Sequence, residues 1–208
     1  MAIPFVLENV FYINLEERTD RRESVEKQLN ELGWKYKRFN AIKNKQKGSI
    51  GCSFSHLAVL KIAREKNLPY VVVIEDDIEF TNIPKFQKIY KKFVDSGVDF
   101  DVYLLAGNLR RGNIKINNSL TKVRSSFTTT GYIVKNAYYD KLIDNIKLGL
   151  QYLLRNLKNP YYTIDAFWMR LQKQDNWYIS RPRTVTQLKD FSDIEKKLTN
   201  YDKVMLDT

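Results

Sequence analysis

Several features that define other classes of protein are scarce or missing in this sequence. It contains one cysteine, Cys52, which excludes an internal disulfide and favours a reducing compartment. No apolar run approaches the length of about 18 residues that a membrane span needs. Residues 1–8 lack the basic start and the long apolar core of a signal peptide. We therefore expect a cytoplasmic protein without a signal peptide or a transmembrane span.

Motifs of nucleic-acid-binding proteins and phosphate-loop enzymes are missing as well. Nothing matches a helix-turn-helix, a zinc finger or an RNA-recognition strand, although the net charge of +11 indicates an anionic partner. A phosphorylated substrate and an anionic membrane surface both fit this charge, whereas nucleic acid is not expected. Residues 15–20 do not form the glycine-rich, lysine-containing loop of a nucleotidyltransferase. That enzyme class and a non-catalytic basic binding protein remain the alternatives to the interpretation below.

The length of 208 residues, of which 43% are hydrophobic and 28% charged, is typical of one soluble globular domain. The order of its predicted elements makes this an α/β domain. The first unit is a strand at 10–15, a helix that Thr19 or Asp20 caps and Gly33 ends, and a strand at 36–39. This strand–helix–strand order predicts a mostly parallel central sheet flanked by helices.

The remaining elements follow from hydrophobic periodicity. Helices are predicted at 51–66, 83–94, 136–146, 148–158 and 164–172, and strands at 101–107, 128–134 and 177–179. The basic segment 43–49 is predicted as a loop, the glycine-interrupted segment 108–121 as a loop or weak hairpin, and the tail from Asp193 as a polar helix or frayed end.

Three adjacent acids follow the most apolar strand of the chain. Residues 71–74 are β-branched, as in a strand buried on both faces, and Glu75, Asp76 and Asp77 come next. Ligand sites in open α/β sheets lie beyond the carboxyl ends of strands. These oxygen ligands suit Mn²⁺ or Mg²⁺ holding a substrate phosphate. Strand alternation would put Glu75 and Asp77 on one face and Asp76 on the other; an ordinary acidic turn is the alternative.

Short motifs in a fixed order resemble glycosyltransferase family 25, whose members include lipopolysaccharide-building sugar transferases and collagen hydroxylysine galactosyltransferases. The matching residues are 11–15 with Arg18 and 20–22; Gly51, Cys52, Ser55 and His56; 75–77 with Phe80; 101–103 with Gly107; 130–134; Ile164 and Asp165; and Gln187 with 192–194. Each fragment is short, and their common order makes the resemblance specific.

The resemblance implies a GT-A-like fold and transfer of a galactose- or glucose-type sugar, with inversion, from a uridine diphosphate (UDP) sugar. The acceptor would be a glycan, a lipid-linked glycan or a protein hydroxyl, and Mn²⁺ or Mg²⁺ would assist. We expect one domain, 1–208, with a nucleotide-sugar-binding half at 1–107 and an acceptor-side half at 108–208. The basic charge also suggests peripheral contact with an anionic membrane.

The resemblance also implies roles for single residues. The metal ligands would be Glu75, Asp76 and Asp77, and the donor contacts Asn14, Arg18, Arg22, Ser55, His56 and Glu75. Ser55 and His56 would reach the donor phosphate from a helix N-terminus. The alternatives are a solvated turn that pairs the arginines with neighbouring acids, and a buried His56 that locks its helix to the sheet.

Two further residues complete the predicted site. Asp165, just after two tyrosines and at the start of a predicted helix, is the candidate catalytic base, and a helix N-cap is the alternative. His56 is the single histidine, so the C-terminal histidine that often joins the metal shell in GT-A enzymes has no counterpart. Asp190 or Asp193 would replace it, or water and diphosphate would complete the shell.

Overall fold

The structure is a computed structural model that describes residues 3–192 and 197–207. Its strands are β1 (Val10–Asn14), β2 (Tyr36–Asn40), β3 (Tyr70–Glu75), β4 (Ile78–Phe80), β5 (Val102–Leu104), β6 (Asn108–Leu109), β7 (Ile114–Lys115), β8 (Leu120–Lys122), β9 (Ser126–Phe127), β10 (Gly131–Lys135), β11 (Trp177–Ser180), β12 (Val185–Gln187), β13 (Asp190–Ser192) and β14 (Lys197–Thr199). Its helices are α1 (Thr19–Glu31), α2 (Gly48–Glu65), α3 (Ile83–Asp95), α4 (Tyr139–Arg155), α5 (Ile164–Phe167), α6 (Met169–Gln174) and α7 (Asp202–Met205).

The central sheet has eight strands in the order β2-β1-β3-β10-β5-β11-β8-β7. Parallel pairing joins β1 to β2 and β3, and β5 to β11, whereas β10 and β8 run against their neighbours. Six of the eight strands therefore point in one direction, and the predicted mostly parallel sheet is confirmed. The N-terminal strand–helix–strand unit is confirmed too, with Val10 of β1 opposite Tyr36 of β2.

The core lies on both faces of this sheet. On one face Val72 and Ile74 of β3 pack with residues of α1 and α3. On the other face Val71 and Val73 pack with residues of α2 and α4. The four side chains are fully buried, because strand alternation sends them in turn to two dry layers. No helix within 3–192 or 197–207 is long and apolar enough to cross a membrane.

The carboxyl edge of the sheet gathers the polar residues of the site. Strands β1 and β3 end there, and the antiparallel strand β10 begins there. The backbone N–H of Glu75 donates to the Thr130 carbonyl at 2.9 Å, and that of Asp76 donates to the Ile13 carbonyl at 3.1 Å. The ends of all three strands are therefore fixed side by side.

Several predicted boundaries differ from the observed ones. The predicted helices at 136–146 and 148–158 are one helix, α4, in which Gly149 allows close approach of Phe167; a Cβ there would lie 2.9 Å from the Phe167 ring. The predicted helix at 164–172 is divided into α5 and α6.

The ends of other elements also needed correction. Neither Thr19 nor Asp20 caps α1, because Arg18 holds the N-cap position without a side-chain hydrogen bond. The segment 108–121, predicted as a loop or weak hairpin, contains β6, β7 and most of β8, and β7 and β8 pair as an antiparallel hairpin. Residue Asp193, where the predicted tail begins, lies outside the described residues, and β14 and α7 follow at 197–205.

Candidate active site

A cleft of about 660 Å³ opens beside the carboxyl edge of the sheet. Its lining includes the acids 75–77 at the end of β3, the basic segment 43–47, and Cys52, Ser55 and His56 of α2. The three predicted metal ligands and two of the predicted donor-contact residues therefore lie around one space.

Glu75 is held by a set of donors that converge on one carboxylate oxygen. Its Oε1 lies 3.0 Å from His56 Nε2, 2.7 Å from the Thr129 hydroxyl and 3.5 Å from Cys52 Sγ. The other ring nitrogen of His56, Nδ1, lies 2.9 Å from the Tyr132 hydroxyl. Burial opposes ionisation of Glu75, but the hydrogen bonds from His56, Thr129 and Cys52 hold its pKa below the usual value. Glu75 is therefore an oriented carboxylate.

Asp76 faces a different set of partners, although it follows Glu75 directly. Its Oδ2 accepts a hydrogen bond from Asn14 Nδ2 at 2.8 Å, and its Oδ1 accepts one from Arg21 at 3.3 Å. Asn14 is buried and also accepts a hydrogen bond from Arg38 at 2.9 Å. Burial raises the pKa of Asp76, and Asn14 and Arg21 oppose that rise.

Asp77 is the least satisfied acid of the three. Gln187 donates to its Oδ2 at 3.1 Å, and Arg21 lies 3.7 Å from the same oxygen. Its Oδ1 is buried and has no hydrogen-bond partner among the described residues. Burial, followed by the negative charges of Glu75 and Asp76, raises its pKa to about 7. The proximity of two carboxylates and the missing partner favour a cation at Oδ1.

Alternation of these acids is expected only if the strand stays regular beyond Glu75, and it does not. The strand ends at Glu75, and a turn follows before β4, so Asp76 and Asp77 both contact Arg21 while Glu75 contacts α2. Strand periodicity does not extend into a turn, which redirects each side chain separately.

Arg21 is a site residue that the sequence interpretation missed. It lines the cleft and is only 8% exposed. Besides Asp76 and Asp77, it donates to Asp190 at 3.0 Å and to the Phe191 carbonyl at 2.8 Å. Burial disfavours its charge, but the acids Asp77, Asp76 and Asp190 raise its pKa. Arg21 thus supplies a fixed positive charge among three carboxylates.

The two predicted arginines are placed differently. Arg18 donates to both oxygens of Asp20, at 3.0 and 2.8 Å, and also pairs with Asp190 beside the cleft. Arg22 is exposed on the other side of the turn, where it pairs with Glu26 at 3.0 Å. Within the described chain neither one lines the cleft. The alternative of a turn in which the arginines pair with Glu16, Glu17 or Asp20 therefore describes the Arg18–Asp20 pair, whereas Arg22 pairs along helix α1.

Ser55 and His56 do not lie at a helix N-terminus. Helix α2 begins at Gly48, about two turns earlier. The Ser55 hydroxyl is fully buried, donates to the Gly51 carbonyl at 2.8 Å and accepts the Ile42 N–H at 2.8 Å. Its contacts therefore fix the neighbouring loop to the helix, and His56 is fully buried between α2 and the sheet.

The loop that Ser55 holds carries lysines into the lining of the cleft. Lys43 and Lys47 are partly committed, to Glu17 and to the Leu157 carbonyl at 2.6 Å. Lys45 is exposed and forms no ion pair with a described residue. Gly51 permits the close packing of this loop, because a Cβ there would lie 2.2 Å from the Ile42 carbonyl oxygen.

Asp165 lies beside a strained turn next to the Glu75 network. Its Oδ2 accepts the Thr128 N–H at 3.3 Å, and its Oδ1 accepts the Thr163 hydroxyl at 2.9 Å. Thr128 has a φ of 77°, which a β-branched residue rarely adopts. The next residue, Thr129, donates to Glu75. Thr163 takes the N-cap position of α5, so Asp165 is not that cap.

The two acids considered as replacements for a histidine ligand have separate outcomes. Asp190 pairs with Arg18 and Arg21, and despite the opposing effect of burial these contacts lower its pKa to about 2. Asp193 lies outside the described residues.

The residues present fit a hard divalent cation. Asp77 presents a buried carboxylate oxygen that no other described residue contacts by a hydrogen bond, and two more carboxylates lie beside it. Such an all-oxygen set matches the ligands that Mg²⁺ and Mn²⁺ take.

Comparisons with known proteins point in one direction. A sequence profile described as glycosyltransferase family 25 (LPS biosynthesis protein) matches residues 7–49 and 46–168. Procollagen galactosyltransferase 1-B of Xenopus laevis is 27% identical over 177 residues, which cover 68% of this chain and 29% of that protein. A glycosyltransferase 25 family member of Drosophila melanogaster is 24% identical over 162 residues, covering 62% and 26%. This chain therefore spans less than a third of the length of these curated relatives.

One solved structure shares the architecture. It is a glycosyltransferase involved in the glycosylation of the major capsid of PBCV-1, with a TM-score of 0.50 and 14% identity, and the match covers 85% of this chain and 82% of that one. This likeness concerns the fold, and it confirms the predicted GT-A-like α/β architecture.

Proposed function

The chain belongs to glycosyltransferase family 25, and from this we propose that it transfers a galactose- or glucose-type sugar from a UDP-sugar, with inversion, to a hydroxyl. The observation that carries the proposal is the buried Oδ1 of Asp77, which has no hydrogen-bond partner within 3–192 and 197–207, in a cleft that lysines also line. Metal-ligating oxygens beside cations are what a nucleotide diphosphate requires. Donor binding is assigned to residues 1–107 and acceptor binding to 108–208.

The acids at the strand end take the metal in this proposal. Mn²⁺ or Mg²⁺, when bound, would neutralise the charge that grows on the leaving diphosphate. Asp77 would be the main ligand, with Asp76 beside it, and Glu75 would bind the metal or the donor's ribose. Arg21 reduces the electrostatic repulsion among the three acids, because its guanidinium pairs with Asp76 and Asp77.

Side chains around the cleft would bind the rest of the donor. The guanidinium of Arg21 is already bonded to carboxylates and a carbonyl. The positive charge available to the donor diphosphate would therefore come from the lysines of segment 43–47. Lys45 is the best placed of them, because it is exposed, lines the cleft and has no ion pair within the described chain. Asn14 and Arg18 would support the nucleotide side through the Asp76 and Asp190 contacts.

Asp165 is the proposed base that accepts the proton of the acceptor hydroxyl. Its link to Glu75 through residues 128 and 129 supports this assignment. Asparagine would keep an oxygen for the Thr128 N–H but could not accept a proton. We expect Asp165→Asn to keep donor affinity and to lose transfer by a factor of about a hundred or more. Near wild-type transfer by this variant would show that the base lies elsewhere.

The acceptor would be a glycan, a lipid-linked glycan or a protein hydroxyl. The net charge of +11 supports peripheral contact with an anionic membrane, which would bring the cleft to a lipid-linked acceptor.

The test is a panel of UDP-sugars incubated with the protein and Mn²⁺, with release of free sugar and UDP as the readout. We expect hydrolysis of one or a few donors, and loss of that hydrolysis when a chelator is added. Turnover that is unchanged by chelation would contradict metal assistance. Failure of every UDP-sugar, with binding of none of them, would contradict the donor class.

A further inference from the structure

A second ligand set lies in the same cleft and has a different chemistry. Cys52, His56 and Glu75 each offer one ligand atom, and these atoms all lie within 4.8 Å of one another. Cys52 and His56 are one helical turn apart on α2, so they share a face of that helix. The residues bring a sulfur, a nitrogen and an oxygen together, which is unlike the all-oxygen set at Asp76 and Asp77.

The distances from the Glu75 oxygen to the other two ligand atoms fit a tetrahedral ion. With typical zinc bonds of about 2.0 Å to nitrogen and oxygen and about 2.3 Å to sulfur, tetrahedral ligands lie roughly 3.3 Å (N–O) and 3.5 Å (S–O) apart. The observed separations are 3.0 Å from His56 Nε2 to Glu75 Oε1 and 3.5 Å from Cys52 Sγ to the same oxygen. Little movement would convert these hydrogen bonds into metal bonds.

The partners around the set also suit a metal site. His56 Nδ1 lies 2.9 Å from the Tyr132 hydroxyl, which can accept a hydrogen bond from Nδ1–H and so favours the tautomer whose unprotonated Nε2 can bind a metal. Thr129 holds the Glu75 carboxylate at 2.7 Å. All three ligand residues line the cleft, which gives an ion an entry path and leaves a fourth position for water or substrate.

We propose that Cys52, His56 and Glu75 form a binding site for a borderline-soft divalent cation of the zinc type. The mixed sulfur, nitrogen and oxygen set selects such an ion over Mg²⁺. Binding displaces the thiol proton of Cys52 to solvent and requires the neutral His56 tautomer with its proton on Nδ1, facing the Tyr132 hydroxyl, so that a thiolate and an unprotonated Nε2 ligate the metal. The ion would occupy the carboxylate that the proposed transferase uses for its donor, so zinc would inhibit transfer. That consequence alone rests on the proposed function, whereas the binding does not.

The test uses reduced, metal-free protein and needs no activity assay. Co²⁺ is added as a spectroscopic substitute for zinc, and we expect a thiolate-to-cobalt charge-transfer band at one equivalent, which Zn²⁺ abolishes. Cys52→Ser should remove the band and weaken zinc binding by more than about a hundredfold, since even the loss of an outer partner costs roughly 10- to 100-fold. Asp77→Asn is the matched control and should keep the band.

A second measurement on the unaltered protein guards against misfolded variants. Zn²⁺ should slow alkylation of Cys52 at least tenfold, and Mg²⁺ at the same concentration should not. Absence of the cobalt band in wild-type protein, its persistence in Cys52→Ser, or equal alkylation with and without Zn²⁺ would each overturn the proposal. These outcomes leave the donor assay untouched, so a failure here is distinct from a failure of the proposed transfer.

Discussion

Replacing Asp77 with asparagine should stabilise the metal-free protein at neutral and alkaline pH while removing its function. The Asp77 side chain is 18% exposed, carries an oxygen without a partner in the part of the chain that the structure describes, and lies beside two other carboxylates. Asparagine keeps the shape and can still accept the Gln187 hydrogen bond. It lacks the negative charge that burial and the neighbouring acids oppose.

The magnitude follows from the pKa of Asp77, which is raised from 3.8 to about 7. At 1.36 kcal/mol for each pH unit, this rise corresponds to about 4 kcal/mol. The folded state binds the proton more tightly than the unfolded state does. The stabilisation is therefore complete below about pH 4 and is lost as the pH rises to about 7. Asparagine does not titrate, so the unfolding free energy of Asp77→Asn should not show this fall with rising pH.

The assay is urea unfolding of both proteins in chelator at several pH values between about 4 and 8. Other titrating groups are common to both proteins and cancel in the difference between them. We expect the unfolding free energy of wild type to fall by about 4 kcal/mol more than that of Asp77→Asn across this range. Parallel pH profiles, or a variant less stable than wild type at pH 8, would refute the assignment of a strained, buried carboxylate.

Three further predictions concern other parts of the site. Arg21→Gln should destabilise the protein by about 3–5 kcal/mol, because it leaves buried acids unpaired, whereas the exposed control Arg22→Gln should change stability far less; equal losses in urea unfolding would contradict this. Gly51→Ala should lower the unfolding free energy by about 1–3 kcal/mol and weaken donor binding, because the new Cβ would clash with the Ile42 carbonyl. Unchanged stability would show that the loop can move away from the helix without a loss of stability. Binding to anionic vesicles should weaken as salt rises, and co-sedimentation that is independent of salt would argue against an electrostatic attachment.

Much of the fold could be predicted from the sequence because its elements have strong local signals. Residues 71–74 are β-branched and bounded by a proline-containing turn and three acids, and that stretch is strand β3. Val25 and Leu29 identify the buried face of α1 by their spacing. The same spacing places Arg21 on that face, four residues before Val25, and it was the signal that could have found this residue.

The partners of the acids could not be predicted because they come from distant parts of the chain. Glu75 meets His56 across 19 residues, and Asp77 meets Gln187 across 110. The end of β3 also decides which way each acid points, and a sequence pattern does not fix that residue. The contacts of Arg21 depend in the same way on two distant segments, 76–77 and 190–191, whereas the pair of Arg22 with Glu26 is local.

The central claim is that Asp77 couples a divalent metal to the nucleotide of the donor. Calorimetric titration of UDP into wild-type protein and Asp77→Ala, each with Mn²⁺ and with chelator, tests it most directly. We expect UDP to bind wild type much more tightly with Mn²⁺, and Asp77→Ala to bind it weakly and equally in both conditions while remaining folded. Binding to wild type that is the same with chelator, or metal-enhanced binding that survives in Asp77→Ala, would contradict the account.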